Sequence, residues 1–233
     1  MSMPEGFCLV ADPGRMEEAE GLRGELMGAG IPCPACVSAE EKSSLTALLQ
    51  RRSTVFIFPL SEGKSGTLQG MLEFLDLPFA GPALAGFVAG ADPDFRSAIV
   101  GSSSIADELP EARRRYLAVA GNEEPRAGLP VTARGEPLPM SKDEEGSLVE
   151  FALSCYRDLR LEGFSLLAIA TEGGRARLLD VDPEPSFLPR SPFRQSMEAA
   201  GMDFTHWLRD SVDLGMARHR RDSGLSHRYR DGV

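Results

Sequence analysis

Phe164-Ser-Leu-Leu-Ala-Ile-Ala170, followed by Glu172-Gly-Gly174 and then Ala176-Arg-Leu-Leu-Asp-Val-Asp182, reads as two apolar strands around a double-glycine turn. That pattern predicts an antiparallel hairpin. Asp180 and Asp182 stand two apart on its second strand, so both carboxylates point to one side. Two convergent carboxylates suit a magnesium ion, which takes hard oxygen ligands. The same pair also fits a strand end that dissolves into a polar turn at Pro183. Upstream, Ser141-Lys-Asp-Glu144 has capping-box spacing and opens a helix with Leu148, Phe151, Ala152, Cys155, Tyr156 and Leu159 inward. Farther upstream, Tyr116-Leu-Ala-Val-Ala120 reads as a strand, Gly121-Asn-Glu-Glu-Pro125 as a turn and Leu129-Pro-Val131 as extended chain. Downstream, Met197 to Met216 holds one or two helices. From Arg218 the chain turns polar and basic, with five Arg, two His and two Asp, and is expected to fray.

The N-terminal part has another texture. Phe7-Cys-Leu-Val-Ala11 is a short apolar run that ends at Asp12-Pro13-Gly14, as a buried strand would. Met16, Ala19, Leu22, Leu26 and Ala29 then recur at helical spacing, and Gly30 sits where the helix should stop. Val55-Phe-Ile-Phe-Pro59 is a second strand, Gly66-Thr67 opens a helix with Leu68, Met71, Leu72 and Leu75 on one face, and Leu77-Pro-Phe79 is a third short strand. Strands that alternate with helices imply a parallel sheet. The expected fold is α/β: an N-terminal parallel-sheet, Rossmann-like domain over residues 1–92, a connector over 93–112, an α+β domain over 113–217 and a basic tail over 218–233.

With 233 residues, 42% of them apolar and 26% charged, the chain is long enough to bury a core without disulfides or metal. The net charge of −10 argues against broad nucleic-acid binding, which needs a positive face. Positive charge is nearly all arginine: Lys42, Lys64 and Lys142 are the only lysines among 25 basic residues. No run of about 18 apolar residues occurs, so no membrane span is expected. Met1 to Gly6 lacks the basic and apolar parts of a signal peptide. Four cysteines do not make a disulfide scaffold, and reduced thiols in a cytoplasmic protein are expected.

Local motifs carry little chemistry. Cys33-Pro-Ala-Cys36 has C-x-x-C spacing, but Cys8 and Cys155 offer no second pair for zinc. It also follows a helix rather than opening one, so a structural role is expected. His206, His219 and His227 are the only histidines and all lie late, which opposes a histidine triad or a His-rich metal site. His206, beside Trp207 on a helix, reads as packing or surface. Gly63-Lys-Ser-Gly66 precedes a helix as a phosphate loop would, but lacks the full G-x-x-x-x-G-K-[ST] pattern.

Several segments, in order, resemble the D-alanine–D-alanine ligases of the ATP-grasp superfamily. Gly66-Thr-Leu-Gln-Gly-Met-Leu-Glu73 with Leu77-Pro-Phe-Ala-Gly81 is similar to that family's G-T-[IL]-Q-G-L-L-E…[IL]-P-Y-[TS]-G segment. Val119-Ala-Gly-Asn-Glu-Glu-Pro-Arg-Ala127 through Leu129-Pro-Val131 resembles its V-L-G-N…P-x-A-L-P-V strand pair. Leu179-Asp-Val-Asp182 with Pro185-Ser-Phe187 takes the place of N-E-V-N-T-x-P-G-[FM], and Ser191 with Glu198-Ala-Ala-Gly201 that of S-x-x-P…A-G. The resemblance implies a pre-ATP-grasp domain followed by an ATP-grasp core, and a cytoplasmic homodimer through the N-terminal domain that serves peptidoglycan synthesis.

The departures from the family pattern bear on activity. The family's lid subdomain, with its phosphate-binding lysines, does not fit between Asp92 and Arg115, and no lysine lies between residues 65 and 141. Gly101-Ser-Ser-Ser104 resembles a relic of the lid's glycine-rich loop. Aligning Gly163-Phe164 with G-Y-x-R-x-D puts Leu166 at the arginine that stabilises the intermediate and Ala168 at the first metal-binding aspartate. Asp180 replaces a metal-binding glutamate and Asp182 an asparagine, leaving a degenerate metal pair. Ser191 matches the serine that contacts the second substrate's carboxylate, and Glu17, near Glu18 and Glu20, stands in the stretch of the loop that binds the first D-alanine. The reading implied is a truncated, degenerate relative without ATP-dependent ligase activity or a required cofactor. It would bind a D-amino-acid-like small molecule or a protein partner, and neither nucleic acid nor membrane. The alternative is a minimal ATP- and magnesium-dependent carboxylate–amine ligase in which Arg96, Arg113, Arg114 or Arg126 replaces the lysines on phosphate.

Overall fold

The computed structural model describes residues 6–33, 35–40, 55–61, 66–100, 110, 113–121 and 124–230. Gly63 to Ser65 and Gly101 to Ser104 therefore lie outside the described residues. The chain divides into two units, one drawn from residues 1–63, 67–81 and 208–233 and the other from 64–66 and 82–207. The division falls at Gly81/Pro82 rather than at the expected Asp92.

In the first unit β1 (Gly6–Ala11) is the centre of a parallel sheet ordered β2-β1-β3, with β2 at Ala35–Ser38 and β3 at Val55–Leu60. A central parallel strand is covered on both faces and so reads as an unbroken apolar run. Cys8, Leu9, Val10 and Ala11 are all buried. Phe79 adds a single parallel bridge to Ile57, the remnant of the short strand expected at Leu77–Phe79. Helix α1 (Met16–Gly28) buries Ala19, Leu22 and Leu26. It ends where the sequence puts its stop. Gly30 takes φ +74°, and Ile31 N–H donates to the Leu26 carbonyl at 2.8 Å. That is a Schellman closure, which glycine permits without strain. Helix α2 (Thr67–Phe74) packs Leu68 and Leu72 against Cys8, Val10 and Ile57.

In the second unit α3 (Leu84–Ala91) and α4 (Pro93–Val100) precede an antiparallel sheet of order β5-β4-β6-β7. The α4 helix occupies the start of the expected connector. Its signal is local: Asp92 Oδ1 accepts from the Asp94 and Phe95 N–H groups at 2.9 and 3.0 Å, and Pro93 sits where helices tolerate proline. The strands are β4 (Arg114–Ala120), β5 (Arg126–Ala127), β6 (Phe164–Glu172) and β7 (Arg175–Asp182). Gly173 and Gly174 both have positive φ, +57° and +78°, as a two-residue type I′ hairpin turn requires. Helix α5 (Lys142–Asp158) covers one sheet face, packing Leu148, Ala152, Cys155 and Tyr156 on Leu117, Val119, Leu167, Ile169, Leu178 and Val181. Ser141 caps it, its Oγ accepting from Glu144 N–H at 3.3 Å.

Helix α6 (Pro192–Ala199) is tied to the sheet by Ser196. Phe164, Phe187, Phe193, Phe204 and Trp207 form an aromatic cluster with ring centroids 5.1–6.4 Å apart. Helix α7 runs from Phe204 to Arg230. The tail expected to fray from Arg218 is thus helical to Arg230. In the first unit, Arg218 is buried beneath the chain at 79–81, donating to the Phe79 carbonyl at 3.0 Å and to that of Gly81, with its guanidinium 4.3 Å from the Phe79 ring centre.

Candidate functional site

The antiparallel sheet has a second face, turned away from α5. Strand alternation puts Tyr116, Ala168 and Ala170 on it, joined by Leu179. Leu179 is there because β7 carries a bulge. Ala168 pairs with Asp180 and Ile169 with Leu178, so Leu179 is the extra residue on its strand. Beyond the bulge Asp180 lies opposite Ala168 and Asp182 opposite Leu166. The structure therefore brings together the four positions singled out in the sequence: Leu166, Ala168, Asp180 and Asp182.

Their chemistry is thin. Leu166 and Ala168 are buried, at 9% and 7% exposure, and supply no donor or acceptor. Asp182 Oδ1 accepts from Glu184 N–H at 3.1 Å, which closes the turn after β7. Asp180 meets a cation that belongs to the protein. Arg96 Nη2 lies 3.2 Å from Asp180 Oδ1 and 3.5 Å from the Leu179 carbonyl, and Nη1 donates to the carbonyls of Gly90 and of Ala91, the latter at 3.1 Å. Only 5% of Arg96 is exposed, against 44% of the Asp180 side chain. A guanidinium tolerates such burial better than an ammonium, because it is weakly hydrated and its planar fork fits several acceptors. With Nη1 and Nη2 committed to the protein, Arg96 is poorly placed to replace a phosphate-binding lysine.

The sequence pattern did not reveal this pairing. Arg96 sits on a short helix far along the chain from Asp180, and no spacing rule links them. Among the described residues no group of three or more His, Cys, Asp or Glu side chains is arranged to hold a metal ion. Magnesium, which the resemblance implies, therefore does not fit the donors present: one carboxylate already faces a guanidinium, and an alanine stands at the bridging position.

The remaining candidates are placed as follows. Ser191 is buried at the start of α6 and acts as its N-cap, Oγ accepting from Arg194 N–H at 3.3 Å. Glu17 is exposed on the first turn of α1, in the first unit, and its neighbour Glu18 is the buried one, paired to Arg15 at 2.9 Å. Cys33 and Cys36, at the entry of β2, are thiols and not a disulfide. Burial pushes both up to about 11, against the lowering effect of the Arg23 guanidinium, so neither is a ready nucleophile. His206 is exposed, and its backbone N–H donates to Asp203 Oδ1 at 2.7 Å. No helix is long and apolar enough to cross a membrane among the described residues.

Comparison with known proteins bears on this arrangement. The chain is 27% identical over 110 residues to the D-alanine–D-alanine ligase of Nocardia farcinica, a match covering 44% of this chain and 30% of that protein. It is 21% identical over 252 aligned positions to the ligase of Solibacter usitatus, covering 71% of this chain and 78% of the other. Among solved structures, the D-alanine–D-alanine ligase of Coxiella burnetii superimposes with a TM-score of 0.73 at 14% identity, over 98% of this chain and 99% of that one. No family model matches. The match thus spans less than a third of the Nocardia relative's length. The fold is the ATP-grasp fold of the D-alanine–D-alanine ligases.

Proposed function

We propose, from the premise that this chain is a relative of the D-alanine–D-alanine ligases and shares their fold, that it is a binding protein rather than an ATP-driven ligase. One observation carries the reading. At the place where a ligase of this fold would gather carboxylates around magnesium, Ala168 faces Asp180, and Arg96 lies 3.2 Å from the Asp180 carboxylate. A protein cation of fixed position takes the role of the soluble one. It neutralises Asp180, but it offers no open coordination site to a phosphate oxygen and cannot leave with product. The short chain between α4 and β4 supports the same reading, because residues 101–113 are all that separates them. A triphosphate held in water, without a lid or metal, gains little of the electrostatic stabilisation that phosphoryl transfer needs. The occupant we propose is a D-amino-acid-like small molecule or a protein partner, bound without a cofactor.

Two measurements test this, with a full-length ligase as the positive control. Titration calorimetry with ATP and magnesium should show no magnesium-dependent saturable heat. A coupled ADP-release assay with D-alanine, and with a panel of other amino acids, should stay at background. Accumulation of ADP together with a dipeptide would sink the proposal and favour the minimal-ligase reading.

A further inference from the structure

Helix α4 is built inside out. A surface helix normally turns its apolar residues inward and its charges to water. In α4 the buried residue is Arg96, held by the carbonyls of Gly90, Ala91 and Leu179 and by the Asp180 carboxylate. Val100, at its end, packs against the core cluster beneath α5. Phe95 and Ile99 are left outside, 47% and 42% exposed. They stand four residues apart, so they share one flank of the helix, a turn from each other. On the preceding α3, Val88 is exposed as well. Single exposed apolar residues are ordinary. A neighbouring pair on a short helix is different when an arginine supplies the anchor and the pair stays half open to water. The charge around the pair is of one sign. Residues 84–100 carry Asp92 and Asp94, both exposed, and no positive group but the buried Arg96. Asp92 Oδ1 caps α4 and Asp94 stands in its first turn, so the fold fixes an acidic head beside the apolar flank.

We propose that this flank of α4, Phe95 and Ile99 with the carboxylates of Asp92 and Asp94 at its head, docks a basic amphipathic helix of a partner protein. Charge selects the occupant. An apolar surface bordered only by negative charge favours a partner that brings apolar anchors and a rim of Lys or Arg. Two anchors one turn apart match the i, i+3, i+4, i+7 stripe of such a helix. Because Arg96 already holds α4 in place, binding has little backbone to order. A second copy of the same flank brings two more carboxylates and no cation, and the same carboxylates oppose an anionic lipid surface. The inference goes beyond the binding-protein reading by naming a surface and the chemistry of its partner, and it stands apart from whether ATP is turned over.

The test is fluorescence anisotropy of a labelled, capped peptide of about 14 residues, leucine at i, i+3, i+4 and i+7 and lysine elsewhere, titrated with the whole chain. Saturable binding is expected. Phe95→Gln/Ile99→Gln should weaken it by more than about tenfold. Asp92→Asn/Asp94→Asn should weaken it by about threefold and flatten its salt dependence, asparagine keeping the helix cap. Leu188→Gln, which removes an exposed leucine between β7 and α6, should leave it unchanged. If the glutamine pair lowers the urea midpoint, Phe95→Gln alone and the asparagine pair still decide. No saturable binding, equal binding of a peptide with glutamate in place of lysine, or an equal loss in Leu188→Gln would each overturn the inference. So would tighter, Phe95-dependent binding to phosphatidylserine vesicles, which would make the flank a membrane contact. A dimer in light scattering that Phe95→Gln/Ile99→Gln dissolves would likewise overturn it and give the flank to a second copy. ADP formation from ATP would defeat the binding-protein reading instead and leave the peptide result to be judged by its own variants.

Discussion

Ser196 shows how much one hydroxyl can organise. It is fully buried, accepts from Ala118 N–H at 2.9 Å and donates to the Leu129 carbonyl at 2.7 Å. Leu129 N–H returns to the Ser196 carbonyl at 2.9 Å. The approach is so close that a Cβ at Gly128 would lie 2.3 Å from Ser196 Oγ, so only glycine fits there. Ser196→Ala leaves the buried Ala118 N–H and the partly buried Leu129 carbonyl without their partner and should cost about 1–3 kcal/mol, read as a lower urea midpoint at unchanged slope. A loss below about 0.3 kcal/mol would mean that water replaces the hydroxyl. Around Asp180 the residue scale tests the proposed loss of metal. Ala168→Asp with Arg96→Gln restores a carboxylate and removes the resident cation. Without metal the new buried charge should destabilise the protein by about 1–3 kcal/mol. Magnesium should then raise the Tm of this variant and leave that of the parent unmoved. Magnesium stabilisation of the parent would show that its donors suffice. The spacing of Asp180 and Asp182 was legible because two residues on a strand share a face. Arg96 was not, since a salt bridge between distant segments leaves no periodic trace.

Helix α5 announced itself at the level of the element. The cap, the acidic first turn and the apolar stripe agree, and agreement between independent local signals is what makes an element readable. Ser141→Ala removes the cap and should cost about 1 kcal/mol; Ser141→Asp should restore most of it, because an acidic side chain also suits the helix N-terminus. The β6–β7 hairpin was readable for a similar reason, since two glycines between apolar runs leave few other turns. Its bulge at Leu179 was not, because both registers place apolar residues on both faces. The end of α7 was the least legible part. Counted as charges, Arg218 and its neighbours describe a solvated tail. In the fold, Arg218 lies over the Phe79 ring and donates to carbonyls at 79 and 81. Arg209 donates to the Ala29 carbonyl at 2.7 Å. An arginine that stacks and forks at once behaves as a core residue. Arg218→Ala should therefore cost about 2 kcal/mol or more, with proteolysis beginning within the last helix. Arg218→Lys should rescue little, because an ammonium cannot reproduce the fork. A full rescue by lysine would reduce the interaction to simple charge.

The four thiols carry a prediction for the molecule as a whole. Cys8, Cys33 and Cys155 are buried and Cys36 is partly so. Burial, the largest cause in each case, pushes Cys8 and Cys155 up to about 12 and Cys33 and Cys36 up to about 11. The folded state thus holds its thiol protons more tightly than the unfolded chain, whose thiols titrate near 9. Linkage then fixes the sign. Below about pH 8 the thiols are almost fully protonated in both states and stability hardly depends on them. As pH rises through 9 toward 11 and 12, the unfolded chain releases protons that the fold retains, and stability falls. Each fully buried thiol steepens the fall by up to about 1.4 kcal/mol per pH unit in that window. Urea unfolding between pH 7 and 11 should show a plateau followed by a decline. The three lysines and three tyrosines also titrate there, so the variant decides. Cys155→Ala, which removes a thiol packed among Leu117, Leu148 and Ala152, should shallow the slope even though it lowers stability at pH 7. An unchanged slope would assign the decline to other groups. The same burial predicts slow labelling by iodoacetamide at pH 8 in the native protein and rapid labelling in urea, because the thiolate is the nucleophile.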